Sequence, residues 1–148
     1  MRRHRKRLLE LAGLVLFGLA VYQANVLWQS HLGRAAIAET GLVALSLDQA
    51  LPLSAETEKP VLVELAAVWC PSCRAMDRQV LSDPAVRARI EQDFHFVRLE
   101  YESEAGEAFR ARHGVHGFPR FFVLDPDGEI LRRVSAIVDP RDFEQQLQ

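Results

Sequence analysis

The sequence predicts an α/β domain, a mixed central sheet with helices on both faces, preceded by one N-terminal transmembrane helix. Three observations predict it. An uncharged apolar run follows a basic N-terminus. Short runs of β-formers alternate with helix starts marked by Ser or Asp caps and prolines. A tight Asp125-Pro126-Asp127-Gly128 turn separates the last two strands. Strand–helix–strand units imply a parallel pair, and the tight turn implies an antiparallel hairpin.

Residues 2–7 read Arg-Arg-His-Arg-Lys-Arg, and no charge occurs from Leu11 to Trp28. A bilayer-crossing helix needs ~20 apolar residues, which Leu8–Trp28 supplies if Glu10 lies among headgroups. Tyr22 and Trp28 suit an interfacial belt, and basic residues favour the cytoplasmic side. The expectation is a retained signal anchor: 1–28 a cytoplasmic basic tip and transmembrane segment, 29–41 a stem linker, 42–148 the folded domain. Ala36-Ile37-Ala38 leaves a cleaved signal peptide open, and Arg2-Arg3 has the look of a twin-arginine signal without its usual sequel. A buried soluble helix would show a polar face.

Within the domain, Ser46-Leu47-Asp48-Gln49 has capping-box form and opens a helix toward Ala55, disturbed at Pro52. Val61–Leu65 reads as a central strand buried on both faces, which makes its one charge, Glu64, conspicuous. Pro71 suits a first helical turn, so Cys70 lies at a helix N-terminus and Cys73 one turn inside. That helix runs through Met76 toward Val80. Ser82-Asp83-Pro84 starts another, with Val86 and Ile90 facing in. Phe94–Leu99 is a strand, Ser103–His113 a helix, and Gly114 and Gly117 bracket a loop ending at Phe118-Pro119. Arg120–Leu124 and Glu129–Val134 form the hairpin, and Asp139-Pro140 opens the last helix.

Of the 148 residues, 49% are hydrophobic and 26% charged, which is ordinary for one globular domain. The formal net charge is −2, yet five basic residues fall within the first seven, so the body is distinctly acidic. That excludes nucleic acid as a partner, since binding needs a positive surface to displace counterions. The two cysteines form a single C-x-x-C. A disulfide scaffold would have more, and a closed zinc site would need four ligands, so no metal is assigned. The thiolate is the nucleophile, and a helix N-terminus favours it at Cys70. Cys70 would attack a disulfide and Cys73 would resolve the mixed disulfide. A non-enzymatic Cu(I) chaperone, holding the metal through Cys70, Cys73 and Met76 or a His, remains a rival. His113 and His116 read as loop residues.

The segment Val61–Cys73, with Trp69-Cys70-Pro71-Ser72-Cys73, resembles the active-site segment of the thioredoxin superfamily. Gly117-Phe118-Pro119 resembles that family's cis-proline loop. Leu81–Val86 is similar to a stretch in the C-terminal domain of DsbD-type reductases and their small membrane-anchored relatives. The resemblance spans about Ser46 to Leu147 and implies a thioredoxin fold for 42–148. It implies Cys70 as attacking thiol, Cys73 as resolving thiol and Glu64 as the buried acid that accepts the Cys73 proton. Trp69, Phe118 and a cis Pro119 would meet substrate. No cofactor is implied.

Strongly oxidising relatives carry a His between the cysteines. Ser72 cannot carry charge, so the expected activity is a protein-disulfide reductase or electron relay. A net oxidase or isomerase with the same residues is the alternative. The expected location is a bacterial inner membrane, single-pass through residues 8–28, N-terminus cytoplasmic and domain periplasmic. Partners would be extracytoplasmic proteins with disulfides or thiols, and a membrane electron donor of the DsbD type.

Overall fold

The computed structural model describes residues 2–148. Its elements are α1 (Arg2–Thr40), α2 (Leu47–Thr57), β1 (Val61–Ala66), α3 (Pro71–Met76), α4 (Pro84–Asp93), β2 (His95–Glu100), α5 (Glu104–His113), β3 (Arg120–Leu124), β4 (Ile130–Val134) and α6 (Pro140–Gln145). A π-helical turn, Asp77–Leu81, continues α3. The sheet order is β2-β1-β3-β4, with β1 and β2 parallel and the other two pairs antiparallel. This is the thioredoxin-type arrangement that the sequence predicts.

Local chemistry sets the element boundaries. Ser46 and Gln49 complete the capping box of α2. Pro52 does not stop that helix; the hydrogen bond it cannot donate would have gone to Asp48, an exposed first-turn residue. Asp83 accepts the Ala85 and Val86 N–H groups to start α4, and Asp139 does the same for α6. Ser103 caps α5 through the Gly106 N–H.

The sheet divides the core in two. On one face Leu62, Phe96, Phe121 and Val123 pack against Met76, Val80, Ile90 and Phe143. On the other, Val61, Val63, Leu65, Val97 and Phe122 pack against Ala50 and Phe109. Every residue of β1 is buried, as a central strand covered on both faces requires.

One expectation is corrected. Residues 29–41, expected as a stem linker, form the last turns of α1 as far as Thr40. Gly33, Ala36 and Thr40 recur at helical spacing and are all buried. A Cβ at Gly33 would lie 1.7 Å from the Val68 carbonyl oxygen, so only glycine permits this approach. Arg74 donates to Gln29 Oε1 at 2.6 Å. Helix formers such as Ala35 and Ala38, together with this packing, keep the segment helical. Residues 10–40 of α1 form a helix long enough to cross a membrane, and its most apolar 18-residue stretch has mean hydropathy 1.7.

Candidate active site

Cys70 caps α3. Its backbone is extended, with φ −81° and ψ 122°, and its Sγ accepts the Cys73 N–H at 3.1 Å. Pro71 takes the first helical position, where a missing N–H costs nothing. Ser72 Oγ lies 3.1 Å from the same sulfur. Donors so placed stabilise negative charge on Cys70 Sγ. Both cysteines are free thiols, and both are buried.

Ala66 and Ala67 pack around the two sulfurs, and Tyr101 and Phe118 close over them. Phe118 makes edge contacts with Trp69 at 5.3 Å and Tyr101 at 4.7 Å between ring centroids. Arg110 sits 3.9 Å over the Tyr101 ring and holds it from outside. The Phe118–Pro119 peptide is cis. Trp69 Nε1 donates to Glu102 at 3.4 Å.

Behind the sulfurs lies a buried charge cluster. Parallel pairing sets Glu64 opposite Arg98. Arg98 Nη1 donates to Glu64 Oε2 at 2.6 Å and to Asp77 Oδ1 at 2.8 Å. Arg98 Nε donates to Glu100 Oε1 at 3.3 Å. The other Glu100 oxygen accepts the Val68 N–H at 2.9 Å, which ties the cluster to the loop that carries Cys70. Glu64 and Asp77 are wholly buried, and each keeps one oxygen without a partner.

Burial pushes the Glu64 carboxyl up to about 8; Arg98 opposes the rise and the Asp77 charge adds to it. Asp77 is also raised, first by burial, again against Arg98. Burial raises the Cys73 thiol strongly, reinforced by its hydrogen bond with Cys70 and, less, by the Glu64 charge. Cys73 therefore needs a base to react, and Glu64 is an acid able to exchange a proton near neutral pH.

The structure brings Cys70, Cys73, Trp69 and Phe118 together, with Pro119 in the same loop and Glu64 buried behind. Met76 packs in the core with Leu62 and Val80, whereas Ala66, Ala67, Tyr101 and Phe118 surround the sulfurs. Among the described residues no group of three or more His, Cys, Asp or Glu is placed to hold a metal ion. His113 stacks on Phe109, and burial lowers its pKa; His116 is exposed. Sequence reasoning missed Tyr101, Asp77, Arg98 and Glu100. A signal existed for Arg98: like Glu64, it is a charge inside a run of β-formers.

Fold and site together define a thiol–disulfide oxidoreductase domain of the thioredoxin type. Residues 43–126 match the thioredoxin-like family, and the chain belongs to it. It is 36% identical over 86 residues to thiol:disulfide interchange protein DsbD 1 of Pseudomonas aeruginosa, covering 56% of this chain and 14% of that protein. It is 33% identical over 101 residues to DsbD 2 of the same organism, covering 66% and 17%. The chain thus spans only a small part of the length of these relatives. Among solved structures it is similar to a thioredoxin from Thermus thermophilus, at TM-score 0.63 and 29% identity, covering 72% of this chain and 84% of that one. It shares its fold with the DsbD C-terminal domain of Neisseria meningitidis, at TM-score 0.58 and 22% identity, covering 70% and 95%.

Proposed function

We propose that this chain is an extracytoplasmic protein-disulfide reductase or electron relay working through Cys70 and Cys73. The observation that carries the reading is the sulfur geometry. Cys70 Sγ sits at a helix start under two polar contacts, and Cys73 lies one turn behind it. Cys70 thiolate attacks one sulfur of a substrate disulfide, and the other leaves as a thiolate that takes up a proton. Cys73 then gives its proton to Glu64 and attacks Cys70 Sγ. The Cys70–Cys73 disulfide forms and the second substrate thiol is released. Two electrons pass to the substrate. A membrane dithiol donor of the DsbD type, oxidised in turn to a disulfide, would restore the pair.

Trp69, Phe118 and Pro119 would form the lip that meets substrate. Ser72 supports the reducing direction, because it offers the sulfur a hydrogen bond but no cation. The basic N-terminus and the apolar span of α1 support an inner-membrane anchor, with the N-terminus cytoplasmic and the domain periplasmic.

The test is trapping. Cys73→Ala should accumulate a mixed disulfide between Cys70 and client proteins, seen as reductant-sensitive adducts on gels. Adducts that instead require Cys73 would overturn the assignment. Tight stoichiometric Cu(I) binding without disulfide-reductase activity would favour the chaperone reading.

A further inference from the structure

We infer that the docked half of α1 holds the redox edge of the domain in the phospholipid headgroup layer, with Trp69 inserted there. The inference rests on the membrane-anchor reading above and adds a depth and an orientation to it.

The domain does not hang from α1 on a flexible linker. Gly33 lies against the Val68 carbonyl, Ala36 is fully buried, and Gln29 accepts from Arg74. Val68 and Arg74 flank the C-x-x-C on either side, so the helix grips the active-site segment itself. Further down α1, Tyr22, Asn25, Val26 and Gln29 line one wall of an open groove of about 460 Å³. Trp69, Pro71 and Glu102 line the other wall. The redox edge is therefore level with the last two turns of the apolar run.

Leu8–Trp28 measures ~31 Å as a helix at ~1.5 Å per residue, close to the ~30 Å hydrocarbon thickness. Six residues separate Tyr22 from Trp28, or ~9 Å of rise. A domain edge carrying Glu102 and Arg74 stays out of hydrocarbon. The last turn of the run, Asn25 to Trp28, therefore rises into the headgroup layer with Tyr22 near the boundary; Leu8 to Ala24, ~26 Å of helix, stays in hydrocarbon, and local thinning takes up the difference. Tyr22, Trp28 and Trp69 are all partly or largely exposed, and amphipathic aromatics favour this depth. The groove between α1 and Trp69 then opens toward lipid headgroups. A substrate disulfide would have to come within reach of the bilayer surface.

The test uses the full chain in phosphatidylcholine/phosphatidylglycerol vesicles carrying a headgroup spin-label quencher. Trp28→Phe leaves Trp69 as the single tryptophan, and Trp69→Phe leaves Trp28. The expected result is at least twofold quenching of Trp69, lost when Gly33→Leu is added to undock the helix. Reduction of a small soluble disulfide by the Gly33→Leu chain verifies that the domain remains folded. Quenched Trp28 with unquenched Trp69 overturns this inference and leaves the anchor intact. A chain that does not enter vesicles, with neither tryptophan quenched, overturns the anchor reading and this inference with it.

Discussion

Leu65 and Glu64 are neighbours in β1, both fully buried, and point to opposite faces of one sheet. Leu65 enters an all-apolar layer with Val63, Val97, Phe109 and Phe122. Glu64 enters a layer that holds three acids around one arginine, close enough to Cys73 for its charge to help raise that thiol. Dry burial stabilises by removing apolar area from water. Burying ions costs several kcal/mol each in desolvation and is recovered only by close pairing. The charged layer is thus poor value as a structural device, and its position explains it better. In the proposed mechanism it sets a titrating group within electrostatic reach of a thiol that burial has made hard to ionise.

Breaking the charged layer has the largest effect. Arg98→Met leaves Glu64 and Asp77 buried without a counter-charge, and denaturant titration above pH 8, where Glu64 is ionised, should show a loss of ~3–5 kcal/mol. The loss should shrink as the acids become protonated at low pH. Leu65→Ala, one strand position away on the dry face, should cost ~2–5 kcal/mol through cavity formation. Its cost should stay flat from pH 5 to 9, and a pH-dependent cost would erase the contrast between the faces.

The pH dependence of stability sharpens the comparison. Glu64 titrates near 4.5 when solvated and about 8 when folded. The folded chain therefore holds an extra proton between those values. The stabilisation is full below pH 4.5 and lost as pH rises toward 8, with a slope of at most about 1.4 kcal/mol per unit. Glu64→Gln should remove this slope from the stability–pH curve.

Local patterns carried most of the fold. β3 begins at Arg120 and ends at Leu124 as expected, because a loop proline and a turn bracket it. The capping residues Ser46, Asp83 and Asp139 fall where they were expected, since a cap needs only neighbours. Glu64 was legible as a charge amid β-formers. Its partners were not. Arg98 reaches Glu64 only through the register of a parallel pair, and Asp77 meets the same arginine from the start of the π-helical turn that continues α3. The docking of α1 was equally hidden. Gly33 reads as one more small residue in an apolar helix until Val68 is set against it.

The central claim is that Glu64 takes the Cys73 proton as the mixed disulfide resolves. Stopped-flow measurement of resolution from a preformed Cys70 mixed disulfide tests it, with wild type and Glu64→Gln followed from pH 5 to 10. In wild type the rate should climb with pH about a midpoint near 8, the value burial gives Glu64. Glu64→Gln should lose that midpoint and resolve about 100-fold more slowly at pH 7. An unchanged rate and midpoint in Glu64→Gln would contradict it.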